Sequence, residues 1–212
     1  MMVMNTDSIE SKSNRLARPL TLRRSVLWGG MGFLAASVVV YGSWALAGRW
    51  MYATLSEIGA YGAWAVMFIL ISGTALRPLI AGANALRRSY VVFTVSFFSY
   101  AAVWTAAWFL LRDLAGEWLA SLAGTGAMAV VLAALFRNIP SAGRIWVVLF
   151  LGHSAGYFAG RYLYGAVAGP PGMILWGVAY GIGFGAAIGY AYFKAQERET
   201  ASPPVERGEA VQ

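Results

Sequence analysis

Runs of some twenty apolar residues recur along this chain, separated by short polar connections, and few folds tolerate that pattern. The runs are 26–47, 58–81, 90–111, 118–136, 145–168 and 173–193. At 1.5 Å per residue, each has the length needed to cross about 30 Å of hydrocarbon. Barrel strands need only about 9–11 residues and alternate with period two, which these runs do not. The expected fold is therefore all-α: a polytopic membrane bundle of about six transmembrane helices. Composition agrees, because 12% charged residues in 212 are too few to coat a soluble domain of this size. The 25 glycines and 9 tryptophans suit lipid, where Gly is tolerated inside helices and Trp anchors at headgroups.

The domain reading follows from the same pattern. Residues 1–25 form a basic arm, 26–193 the transmembrane domain, and 194–212 a polar tail expected to be disordered. The first apolar run is too long for a signal-peptide core of about 7–15 residues, so an uncleaved anchor is expected. Gly169-Pro170-Pro171-Gly172 reads as the turn between the last two spans. No similarity between the two halves of the chain supports an inverted repeat.

Basic residues set the orientation. With both termini in the cytoplasm, 13 of the 16 Lys and Arg residues fall on the inner side and only Arg49, Arg112 and Arg161 on the outer. The formal charge of +7 is thereby explained by topology, and nucleic acid is not an expected partner. A bacterial cytoplasmic (inner) membrane is the expected location. Cysteine is absent, which excludes disulfides, thiol chemistry and Cys-ligated metal sites. No cofactor, metal site or catalytic motif is expected.

Glycine spacing predicts close helix packing. Gly177, Gly181, Gly185 and Gly189 share one face of the last span, and Gly152, Gly156 and Gly160 one face of the span before it. Small residues let backbones approach in lipid, where hydrophobic drive between helices is weak. The simplest reading makes the two spans a hairpin packed through these rows. The rows also offer an interface to a second copy or to another membrane protein.

Candidate binding residues cluster on two faces. His153 is the only histidine and lies about nine residues into its span, near the bilayer centre. Tyr157 and Arg161 continue its face at i+4 and i+8. Tyr100, Trp104 and Trp108 recur four apart in the third span, a wall suited to an organic or cationic solute. For each there is a plainer account: a hydrogen-bonded neutral imidazole, an Arg reaching the headgroups, and lipid-facing aromatics. Asp113 and Glu117, four apart, read as helix cap and surface ion pairs rather than an acid–base pair. These residues suggest a small-solute carrier or permease with a site near the midplane. A membrane subunit or assembly factor using the glycine faces, and an intramembrane enzyme acting on a lipid or isoprenoid, are the alternatives.

Overall fold

The computed structural model describes residues 20–82 and 84–201, and the basic arm before Leu20 and the tail beyond Ala201 lie outside them. Every long element among the described residues is an α-helix. These are α1 (Leu22–Ala75), α2 (Ala85–Leu111), α3 (Leu114–Leu135), α4 (Ala142–Val167) and α5 (Gly169–Ala201). Short 3-10 turns at Arg77–Leu79 and Ile139–Ser141 precede α2 and α4. Four of the helices, α1, α2, α3 and α5, are long and apolar enough to cross a membrane, which makes this a multi-pass membrane protein. The fifth, α4, is 26 residues long but carries Arg144, His153 and Arg161.

The 54-residue α1 is two helical limbs, 22–55 and 57–75, broken at Ser56 (φ 62°, ψ 176°). The limbs fold back on each other, stacking Phe33 on Phe68 at 5.2 Å and bringing Trp44 to 4.9 Å from Trp64. The ten-residue connection expected at 48–57 thus shrinks to a single reversed residue. The second limb stops at Ala75, short of the expected Ala81. Pro78 lacks an N–H and disfavours the helical region at Arg77.

The other turns are as short. Arg112 (φ 52°) ends α2, and the Asp113 carboxylate opens α3 by accepting from the Gly116 N–H at 2.7 Å. Between α4 and α5 the chain reverses at Ala168 (φ 54°, ψ 171°) and Gly169 (φ 61°). Of Gly169–Gly172, expected as the turn, Gly169 takes part in the reversal, while Pro170, Pro171 and Gly172 form the first turn of α5. Proline needs no N–H partner in a first helical turn, so Pro170 and Pro171 are tolerated there. At its other end α5 runs helically to Ala201, into the stretch expected as a disordered tail.

The six helical segments close into a ring in which each neighbour is antiparallel. Limb 22–55 packs on limb 57–75, then α2, α3, α4 and α5 follow, and α5 returns to limb 22–55. Phe33 fills the centre, fully buried against Phe68, Phe93, Phe97, Tyr180 and Phe184. The outside is apolar: Met31, Leu46, Ile58, Phe98 and Leu110 are all more than half exposed. Meanwhile Ser37, Ser72, Ser89, Ser96, Ser121 and Thr125 are buried. This inverted distribution is stable only if lipid is the surrounding solvent. Several of the buried hydroxyls donate within the fold, as Ser37 does to the Gly177 carbonyl across helices at 2.7 Å.

Antiparallel packing sorts the charges. Arg23, Arg77, Arg88, Arg137, Arg144 and Lys194 gather at one end, where two side-chain amides tie the loops to α5. Gln196 donates to the Leu79 carbonyl at 2.9 Å and accepts from the Ala81 N–H at 3.1 Å. Asn138 donates to the carbonyls of Lys194 and Ala195 at 3.1 and 3.2 Å. The opposite end holds Arg49, Arg112 and Arg161 with Glu57, Asp113 and Glu117.

The glycine rows serve two neighbours rather than one. Gly183, a residue outside the four-spaced row, faces α4, where a Cβ would fall 2.6 Å from the Gly152 carbonyl oxygen. Gly156 meets the Ala179 carbonyl in the same seam. The row Gly177, Gly181, Gly185 and Gly189 points instead at limb 22–55: Tyr41, Leu34, Gly29 and Ser25 respectively. The hairpin of α4 and α5 does form, but the longer row belongs to the contact between first and last helices.

Candidate functional site

A cavity of about 730 Å³ lies inside the ring, toward the less basic end. It exists because limb 57–75 and α2 are held tightly at one end only. There the Tyr90 ring lies over Gly73, where any Cβ would overlap it, and the Tyr90 hydroxyl meets Thr74 at 2.7 Å and donates to the Leu70 carbonyl at 2.9 Å. Further along, Gly62 and Ala65 face Ala101, Ala102, Thr105 and Ala106, and small side chains leave the gap unfilled. At the far end Arg112 bridges back to Glu57 at 3.4 Å, and Tyr61 contacts Phe109 edge-on at 6.2 Å.

Aromatic residues from four helices form the walls. Limb 22–55 supplies Tyr41 and Trp44, and limb 57–75 supplies Tyr61, Trp64 and Phe68. From α2 come Phe97, Tyr100, Trp104 and Trp108, and from α5 come Trp176 and Tyr180. Tyr157 of α4 and Glu117 of α3 complete the lining. Spacing of four on α2 carries Tyr100, Trp104 and Trp108 along one face, and Trp104 and Trp108 stack at 6.3 Å.

A polar cluster stands at the inner wall. The Tyr100 hydroxyl is 2.6 Å from His153 Nε2 and 3.0 Å from the Tyr180 hydroxyl, linking α2, α4 and α5. The imidazole is fully buried, stacks on the Tyr157 ring at 5.6 Å and 11°, and meets Tyr180 and Phe184 edge-on. Among the described residues its Nδ1 has no hydrogen-bond partner. The ring is thus anchored from one side, through a tyrosine that itself faces the cavity.

Of the residues expected to bind a solute, Tyr100, Trp104 and Tyr157 line the cavity, while His153 and Arg161 do not. His153 stands directly behind Tyr100. Arg161 shares the helix face of His153 but ion-pairs with Glu117 of α3, neither reaching the cavity nor standing free at the headgroups. Glu117 went unweighed as a lining group. Its spacing to Asp113 suggested two carboxylates on one exposed face, yet Asp113 caps α3 while the Glu117 side chain is only 7% exposed. Tyr180 and Trp176 were also missed. Their four-residue spacing with Phe184 is the signal that marks them, and the adjacent glycine row masks it.

The glycine positions all face other segments of the same chain. Gly152, Gly156 and Gly160 meet α5, and Gly177, Gly181, Gly185 and Gly189 meet limb 22–55. What the molecule presents outward is therefore apolar surface and the mouth of an aromatic cavity. No family model, curated protein or solved structure matches the chain, so its function is argued from that cavity.

Proposed function

We propose that this protein is a small-solute carrier whose solute occupies the aromatic cavity. The observation that carries the reading is the cavity itself: about 730 Å³, within the ~300–1,000 Å³ typical of sites for drug-sized ligands. Apolar walls with a few convergent polar groups, here Tyr100, Tyr157, Tyr180 and Glu117, are the usual make-up of such a site. In this reading all six helical segments cross the bilayer, with the basic end in the cytoplasm, because Lys and Arg are retained on that side. His153 acts through Tyr100, holding its hydroxyl at the cavity wall.

The other two readings draw less support from specific contacts. A subunit docking through glycine faces needs those faces open, and they are covered within the chain. An enzyme using the outer carboxylates needs them to converge, whereas Asp113 is turned to its helix cap and Glu117 lines the cavity.

Gly62 provides the test. It lines the cavity, and a Cβ there meets nothing within 4 Å. Gly62→Phe should therefore fill the mouth without disturbing packing. Flux of a panel of radiolabelled cationic, neutral and anionic aromatic solutes would be measured in proteoliposomes. The expected result is transport of at least one panel member by the wild type and its loss in Gly62→Phe. Transport of none, or equal transport by both proteins, would refute the proposal.

A further inference from the structure

Charge distribution around the cavity points to the class of solute, given that the cavity is the solute site. Among the described residues Glu117 is the only charged one in the lining, and its side chain is nine-tenths buried. Its counter-charge, Arg161, lies outside the lining with 45% of its side chain exposed, and hydrogen-bonds to the Oε2 oxygen. Among the described residues no Lys or Arg lines the cavity. The remaining walls are chiefly the faces and edges of Trp104, Trp108, Tyr157, Trp176 and Tyr61.

Aromatic faces carry negative potential and attract cations, most strongly where water is excluded. An anion would meet both those faces and the carboxylate. A small inorganic cation would forfeit its hydration for walls with too few oxygen ligands to replace it. An organic cation with apolar substituents satisfies every part of the lining: its charge near Glu117, its substituents among the rings.

The route of access fits the same chemistry. Ile58 and Gly62 on one side and Phe98, Ala102 and Ala106 on the other are exposed residues of the lining. They flank the gap between limb 57–75 and α2, so the cavity opens sideways, toward lipid. We infer that the cavity binds a lipophilic organic cation, a quaternary ammonium or phosphonium bearing aromatic groups, taken from the bilayer through this gap. Glu117 is its charge-recognising residue.

Two ions of matched size and opposite charge test this. Binding of tetraphenylphosphonium and of tetraphenylborate to the purified full chain in neutral detergent would be followed by intrinsic tryptophan fluorescence. The wild type should bind the phosphonium at least about tenfold more tightly than the borate, a preference that needs no variant to read. Glu117→Gln should weaken phosphonium binding about tenfold and leave borate binding unchanged. Equal or tighter binding of the borate, binding of neither ion, or full phosphonium affinity in Glu117→Gln would each overturn the inference. Borate binding that Gly62→Phe abolishes would overturn the cation assignment while leaving the cavity as the solute site.

Discussion

Among the described residues five other than glycine hold positive φ, and two of these, Ser56 and Ala168, combine it with ψ near 180°, a region essentially confined to glycine. Ser56 (φ 62°, ψ 176°) and Ala168 (φ 54°, ψ 171°) each reverse the chain at the less basic end, and neither is glycine. That region of φ/ψ costs a non-glycine residue about 1–3 kcal/mol, sustained here by the packing of the helices on either side. Ser56→Gly and Ala168→Gly should each stabilise the protein by about 1 kcal/mol net of glycine's larger unfolded-state entropy, read as a raised melting temperature in mild detergent. A fall in both would mean that the turns are not strained. At His153 the expectation is opposite. The buried ring packs against Tyr157, Tyr180 and Phe184 and anchors Tyr100, so His153→Ala should cost about 2–4 kcal/mol, and His153→Gln less, by keeping a partner for the Tyr100 hydroxyl. Equal losses in the two variants would show that the hydrogen bond contributes nothing. His153 was legible in the sequence, being the only histidine and set deep in an apolar run. Its partner was not, because nothing local pairs position 153 with position 100 across two helices.

Among the elements, α5 explains most of the packing. It offers two faces to two neighbours: Gly177, Gly181, Gly185 and Gly189 to limb 22–55, and Gly183 with Tyr180 to α4. A Cβ at Gly185 would lie 2.6 Å from the Gly29 carbonyl oxygen, and the atom met is backbone that cannot rotate aside. Gly185→Ala and Gly183→Ala should each destabilise by about 1–3 kcal/mol, whereas Gly42→Ala, with nothing within 4 Å of its Cβ, should be neutral or stabilising. Thermal unfolding of the three variants checks this, and equal effects at all three sites would count against the packing described. Four-residue spacing made the glycine faces readable in advance, but spacing identifies a face and not the helix that covers it. Element boundaries were the weaker part for a similar reason. Pro170 and Pro171 stop a helix or begin one according to where the chain reverses, and the reversal falls just before them, at Ala168 and Gly169.

For the whole molecule, apolar run length and the sorting of Arg and Lys made the all-helical membrane fold legible, whereas the closed ring and its cavity depend on contacts between distant segments. The proposed crossing by α4 is the part of the topology most open to test, since that helix carries Arg144, His153 and Arg161. The chain has no cysteine, so single introduced cysteines report without background. Gly143 and Gly165 lie toward opposite ends of α4, are exposed, and have no atoms within 4 Å of a Cβ. A membrane-impermeant maleimide should label Gly165→Cys in intact cells and Gly143→Cys only after permeabilisation. Labelling of both from one side would remove the α4 crossing. The central claim is that a cavity inside a single chain is where the solute resides. Native mass spectrometry of the wild type and Gly62→Phe, each purified from its own membranes in mild detergent, tests it most directly. The account predicts a reproducible small-molecule adduct on the wild-type chain and none on Gly62→Phe. An adduct retained by the filled variant, or a wild type that carries none and instead co-purifies in fixed proportion with another membrane protein, would contradict it.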